Sequence, residues 1–178
     1  TAKVEHLVER GEVLPELVAC GATFVISAVE ALSERVLETL DKGHGREDVV
    51  EALGRCQEAG LPMRPTWVPF TPWTTMGDFR EILEFVSGQG LVTHVDPVQY
   101  SIRLLVPPGS LLENHTAFMP HRGELDGKAW SWNWAHPDPE MDVLQREVVE
   151  LVEVAASADH STGATFLRVA ELAGVSLT

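Results

Sequence analysis

Short apolar runs alternating with amphipathic stretches predict an α/β fold built on parallel strands. Three observations carry that reading. Residues 22–29 form an apolar run rich in β-branched side chains, followed by an amphipathic segment that Gly43 closes. The same cycle recurs over 46–70 and again over 76–106, and each return to a strand passes through a turn marked by glycine. Strand and helix in strict alternation, joined by tight turns, is the pattern of right-handed βα crossovers.

The elements follow in order. "VEHLVERGEVLPELVACG" has apolar residues at helical spacing around Pro15 and stops at Gly21, so it reads as a broken helix. "ATFVISAV" reads as a strand buried on both faces. Ser33 stands where a helix cap is needed, Val36, Leu37 and Leu40 make the apolar stripe, and Gly43 ends the element. "REDVVEALGRCQEAG" directs Val49, Val50, Ala52, Leu53 and Cys56 inward and passes through Gly60 into "LPMRPTWVPF", a strand whose regularity Pro62, Pro65 and Pro69 oppose. "MGDFREILEFVSGQG" is the third helix of this kind, and "LVTHVDPVQYSIRLLVPPGS" the strand that answers it. After Leu111 the texture becomes irregular, with Trp130, Trp132 and Trp134 close together, before two further helices, "MDVLQREVVELVEVAASA" and "ATFLRVAELAGV". The chain therefore divides at 1–112, the repeating part, and 113–178, a Trp-rich segment with C-terminal helices.

Composition narrows the partners. The chain has 178 residues, 44% hydrophobic and 22% charged, enough apolar material for a real core. Thirteen Lys and Arg against 27 Asp and Glu give a net charge of −14, and no basic stripe interleaved with aromatics is present to follow a phosphate backbone. Nucleic acid is not an expected partner. The apolar runs fall short of the ~20 residues a bilayer-spanning helix needs, and the first residues lack the order of a secretory signal, so a cytoplasmic location is expected. Cys20 and Cys56 are the only cysteines, too few for a thiolate cluster and without CxxC spacing.

Glu30 ends a run that otherwise reads as buried strand, with Ile26 and Ala28 on its face by two-residue alternation. Ligands of parallel α/β sheets and barrels bind at the carboxyl ends of the strands, which is where Glu30 stands. The alternative is a solvated carboxylate stabilised by the positive end of the next helix.

"FVISAVEALSERVLETLDKGHGREDVVEALGRCQEAGLPMRPTWVPFTPWTT" resembles the second half of a radical S-adenosylmethionine (SAM) core domain. Ala28-Val29-Glu30-Ala31 stands for the family's Gly-Val-Glu-Ser type turn, and Arg35-Val36-Leu37 and Lys42-Gly43-His44 for the elements that follow it. Pro69 to Thr74 replaces a glycine-rich loop, and "VPPGSLL" is similar to the family's "PGTPL" segment. "RPTWVPFTPWTT" with "VDPVQYSIRLLVPPGS" resembles more closely still the subgroup of radical SAM proteins named for a CUAEP or CCAEP tail. The match spans roughly 4–112.

The resemblance implies a partial (half) TIM-type βα barrel of about three parallel strands with a helical C-terminal extension. It implies that Glu30 contacts the methionyl part of SAM and that Lys42, twelve positions on, binds its carboxylate. Arg64 and Thr66 would face the ribose and methionyl groups, with Arg64 equally readable as an ion-pair partner of Glu30. Gln99, with Asp96 and Arg103, would border the substrate cavity, and Trp67 or Phe70 would stack on a base. Radical SAM chemistry also needs a CxxxCxxC loop holding a 4Fe-4S cluster, and this chain has none. The chain is therefore expected to be inactive alone, a fragment of a longer enzyme that binds SAM and the cluster and generates a 5′-deoxyadenosyl radical to abstract hydrogen from an unknown substrate. An upstream half-barrel or a second copy would cover its open edge. Two other readings remain: a non-catalytic α/β interaction domain, and a metal-dependent hydrolase using His115, His121 and His136 with Glu113, Glu124 and Asp138. No HxH or HExxH spacing supports the hydrolase, and no metal site is assigned. The alternating tryptophans read as a packed lid or interface patch.

Overall fold

A computed structural model describes residues 1–176. Its elements are α1 (Val4–Glu9), α2 (Leu14–Ala19), β1 (Val25–Glu30), α3 (Glu34–Thr39), α4 (Arg46–Glu58), β2 (Met63–Trp67), α5 (Met76–Gly88), β3 (Arg122–Asp126), β4 (Ser131–Trp134), α6 (Pro139–Ser157) and α7 (Thr162–Leu172). The fold is mixed α/β, with one two-stranded parallel sheet and one antiparallel pair. The break expected in the first helix is a 3-10 turn over Gly11–Val13, and Pro15 sits in the first turn of α2, where a missing N–H costs little.

β1 and β2 pair in parallel, Val25 opposite Met63 and Ala28 opposite Thr66. Val25 N donates to Pro62 O (2.9 Å) and Val68 N to Glu30 O (2.9 Å), so the even-numbered residues of β2 turn their backbone groups toward β1 and the odd ones away. Pro65 thus lacks its donor on the far edge only, which is how β2 accommodates it. That far edge is also why the expected third strand does not form. Residues 91–96 turn, and Pro97–Ser101 is a 3-10 turn started by Asp96, whose Oδ1 accepts from Val98 N (3.1 Å). Trp67 N on the far edge donates to the side chain of Gln99 (Oε1, 3.0 Å) rather than to a neighbouring strand. Only one parallel bridge, Phe70 with Arg103, marks the third position, through Phe70 N to Ile102 O (3.2 Å) and Leu104 N to Phe70 O (2.8 Å).

The two faces of the sheet differ, which corrects the expectation of a strand buried on both. Val25, Ser27, Val29, Met63, Pro65 and Trp67 are buried, whereas Phe24 (41%), Ile26 (36%), Ala28 and Arg64 are exposed. The buried side meets the inward residues of α1, α4 and α5, among them Val4, Leu7, Val49, Ala52, Cys56, Phe79 and Leu83. Val50, expected inward, is exposed on the outer side of α4. α6 and α7 extend this core with Met141, Leu144, Val148 and Phe166, the last tilted against Tyr100 with ring centroids 5.6 Å apart. Ser33 holds the N-cap position of α3 but its side chain makes no capping bond.

The segment expected to be irregular contains the β3–β4 hairpin, with Leu125 opposite Trp132 and Arg122 opposite Trp134. Trp134 and Phe118 join Ala31, Val36, Leu37, Trp73 and Val106 in a second core, so packing crosses residue 112 directly. Of the three tryptophans, Trp134 is buried, Trp132 half-buried and Trp130 exposed.

Candidate functional site

The carboxyl end of β1 is bent. Register shifts between Ala28 and Glu30, so Glu30 rather than Val29 lies opposite Trp67, and Ala31 N donates back to Val29 O (2.9 Å). Glu30 takes a left-handed conformation with φ 68°, which costs a side-chain-bearing residue about 1–2 kcal/mol. A bulge of this kind re-aims a side chain, and strain of this kind persists only where surrounding contacts hold it. Here Lys42 Nζ donates to Glu30 Oε1 (3.0 Å), with both side chains about a fifth to a quarter exposed at 19% and 24%. His44 Nε2 donates to Val29 O (3.2 Å), fixing the 41–45 segment against the strand end. Lys42 and His44 also line an open depression of about 520 Å³ with Glu34 and Asp41. Two residues separated by twelve positions are thus brought into one ion pair.

Arg64, Thr66 and Gln99 are gathered elsewhere. Together with Ile26, Asp96 and Thr162 they line a cavity of about 350 Å³ on the open side of the sheet. Neither Glu30 nor Lys42 borders this cavity, although Thr66, which does, directly precedes Trp67, the residue opposite Glu30. Arg64 does not pair with Glu30; its guanidinium lies over the Phe24 ring, 4.1 Å from the centroid.

Trp67 and Phe70 offer no face to a base. Both are buried on the helix side, Trp67 edge-on to Phe85 at 6.3 Å and Phe70 against Phe79 at 5.1 Å. The loop that replaces the glycine-rich segment is buried and bonded to itself: Thr71 Oγ1 accepts from Trp73 N (3.2 Å) and Thr74 N (3.1 Å), and lies 2.8 Å from Thr74 Oγ1. Trp73 Nε1 donates to Ala117 O (3.1 Å), which fastens the loop to the second core.

Arg103 is fully employed in packing. It donates to Asp142 Oδ1 (2.7 Å) and Trp134 O (2.7 Å), and its guanidinium lies 3.4 Å from the Trp134 ring centroid. A charge inside an apolar run needs a partner, and Asp142 lies 39 positions away, where no local signal names it.

Among the described residues, the histidine-rich segment included, no three His, Cys, Asp or Glu side chains are grouped as ligands of one ion. His136 Nε2 donates to Thr74 O (2.8 Å), a structural tie. Burial first, then the nearby His136 and Arg35, lower the pKa of His121 below the ordinary imidazole value. Cys20 is exposed and Cys56 buried, and burial pushes the Cys56 thiol up. Two thiols are fewer than the three that a SAM-binding iron–sulfur cluster requires, so this chain's residues do not fit that group. The Glu30–Lys42 pair places a carboxylate and an ammonium together at a strand end. Among the described residues no helix is long and apolar enough to cross a membrane. Compared with known proteins, the chain matches no family model, and no curated protein shows significant similarity to it.

Proposed function

We propose that this chain is the C-terminal part of a radical SAM-type partial βα barrel and that Glu30 and Lys42 hold the methionyl group of SAM. The observation that carries the reading is the ion pair at the strand's carboxyl end, built on a residue forced into a left-handed conformation. Glu30 accepts hydrogen bonds from an ammonium, and Lys42 donates to a carboxylate, so one zwitterion replaces both halves of the pair. Because Arg64, Thr66 and Gln99 line a separate cavity, the methionyl group is assigned to Glu30 and Lys42 alone.

The cluster is supplied by protein outside this chain, and with it the intact enzyme generates a 5′-deoxyadenosyl radical that abstracts hydrogen from its substrate. An upstream half-barrel or a second copy covers the open face and the free edge of β1, where Ala2 N donating to Ile26 O (3.0 Å) is the one backbone bond among the described residues. The location is cytoplasmic. The second reading, a non-catalytic interaction domain, is favoured by the lack of cluster cysteines.

Two measurements separate the readings. The coding sequence upstream of this chain should carry three cysteines in CxxxCxxC spacing, and the protein made from it should bind iron and cleave SAM reductively. The chain alone should cleave none. An upstream sequence without those cysteines, or cleavage by this chain alone, defeats the proposal.

A further inference from the structure

The cavity bordered by Arg64, Asp96 and Gln99 has a chemistry of its own. Arg64 and Asp96 both line it, yet neither takes part in any ion pair among the described residues. Arg64 is held from one side by the Phe24 ring, which keeps its guanidinium on the open face of the sheet. Gln99 accepts from Trp67 N through Oε1 (3.0 Å), and this fixes the orientation of its amide. Its two N–H donors are then left without a protein acceptor among the described residues, and the hydroxyls of Thr66 and Thr162 border the same space. Asp96 spends Oδ1 on Val98 N (3.1 Å) and keeps Oδ2. The lining therefore offers a planar cation, amide donors and an unpaired carboxylate around about 350 Å³, at the small end of ligand-sized cavities.

We propose that this cavity binds a small zwitterion of the amino-acid class, its carboxylate on Arg64 and Gln99 and its ammonium on Asp96. A guanidinium fork suits a carboxylate, and the neighbouring Asp96 disfavours a ligand with only negative charge. A simple cation is disfavoured by Arg64 in the same way. The inference goes beyond the assignment of the Glu30 end and does not depend on it, since neither Glu30 nor Lys42 lines the cavity.

The test uses the chain as it stands, with neither SAM nor cluster. Its ¹H–¹⁵N spectrum, including the Gln99 side-chain amide, is followed while glycine, β-alanine, 4-aminobutanoate and 5-aminopentanoate are added in turn, with acetate and propylamine as one-ended controls. At least one of the four should bind at least tenfold more tightly than either control and shift the Gln99 amide. Arg64→Gln and Asp96→Asn should each weaken that ligand roughly ten- to a hundredfold, the range for losing one hydrogen bond to a charged group. Both side chains are exposed and Asn still caps the 3-10 turn, so the variants keep the wild-type backbone spectrum; Arg64→Lys should recover part of the affinity. The proposal is overturned if no amino acid outbinds acetate and propylamine, or if its advantage survives in both Arg64→Gln and Asp96→Asn.

Discussion

The two faces of the β1–β2 sheet are made by the same eleven residues and have opposite characters. Odd positions, from Val25 to Trp67, are sealed against α1, α4 and α5. Even positions present Ile26, Ala28, Arg64 and Thr66 to the outside, with Glu30 at the bulged end. A finished parallel sheet in an α/β protein is normally covered on both sides. Burial and exposed polar groups are divided by parity along two strands, so a substitution's effect should be set by its face more than by its residue type.

The largest effect should fall on the sealed face. Trp67→Ala empties a site that is 1% exposed and removes the edge contact with Phe85, so urea unfolding should show a loss of about 3–5 kcal/mol. A loss below about 1 kcal/mol would mean that this face is not the core.

Tyr100 is a sharper probe because its effect should have the opposite sign. It is completely buried, its hydroxyl has no hydrogen-bond partner among the described residues, and burial raises its pKa. Tyr100→Phe removes an unsatisfied polar group while keeping the ring on Phe166, so it should stabilise the chain by about 1 kcal/mol. Destabilisation by a similar amount would reveal a partner for that hydroxyl.

On the open face, Ile26→Ser should change unfolding by no more than about 0.5 kcal/mol. The same change should weaken self-association if a second copy covers this face, and light scattering at high concentration reads that directly. A clean monomer in the wild type would count against the second copy and leave the upstream half-barrel as the cover.

The smallest effect comes from half-buried His121. His121 has a folded-state pKa below its unfolded value, so the unfolded chain binds more protons as pH falls below about 6.5, and stability should decline there. His121→Gln should flatten that slope, which pH-dependent thermal melts would show; an unchanged slope would assign it to another group.

The alternation of the two strands was legible in the sequence, but the exposure of one face was not, because Phe24, Ile26 and Ala28 are as apolar as their buried neighbours. Two-residue alternation placed Ile26, Ala28 and Glu30 on one face and Arg64 with Thr66 on one face, and glycines 60 and 90, both at positive φ, marked the ends of α4 and α5. The same alternation, carried one residue further, would have placed Trp67 with the core rather than against a ligand. The third strand was not legible, because 102–106 is apolar enough for one while the obstacle lies elsewhere, in Pro65 on the edge of β2 and Asp96–Pro97 before the segment. Nor does any sequence pattern announce that Glu30 adopts a left-handed backbone, since glutamate rarely does. Arg103 with Asp142 and Trp73 with Ala117 are contacts across 39 and 44 positions, fixed by packing alone.

The central claim is that the bulged end of β1 holds a ligand. Its most direct test is the affinity for SAM of the full-length protein, reconstituted with its cluster, as wild type, Glu30→Gln and Lys42→Ala. Glu30→Gln removes the charge that strengthens one hydrogen bond and Lys42→Ala removes a charged donor, so affinity should fall, roughly ten- to a hundredfold where the bond is lost, with iron content unchanged. Unchanged affinity in both variants would contradict the account.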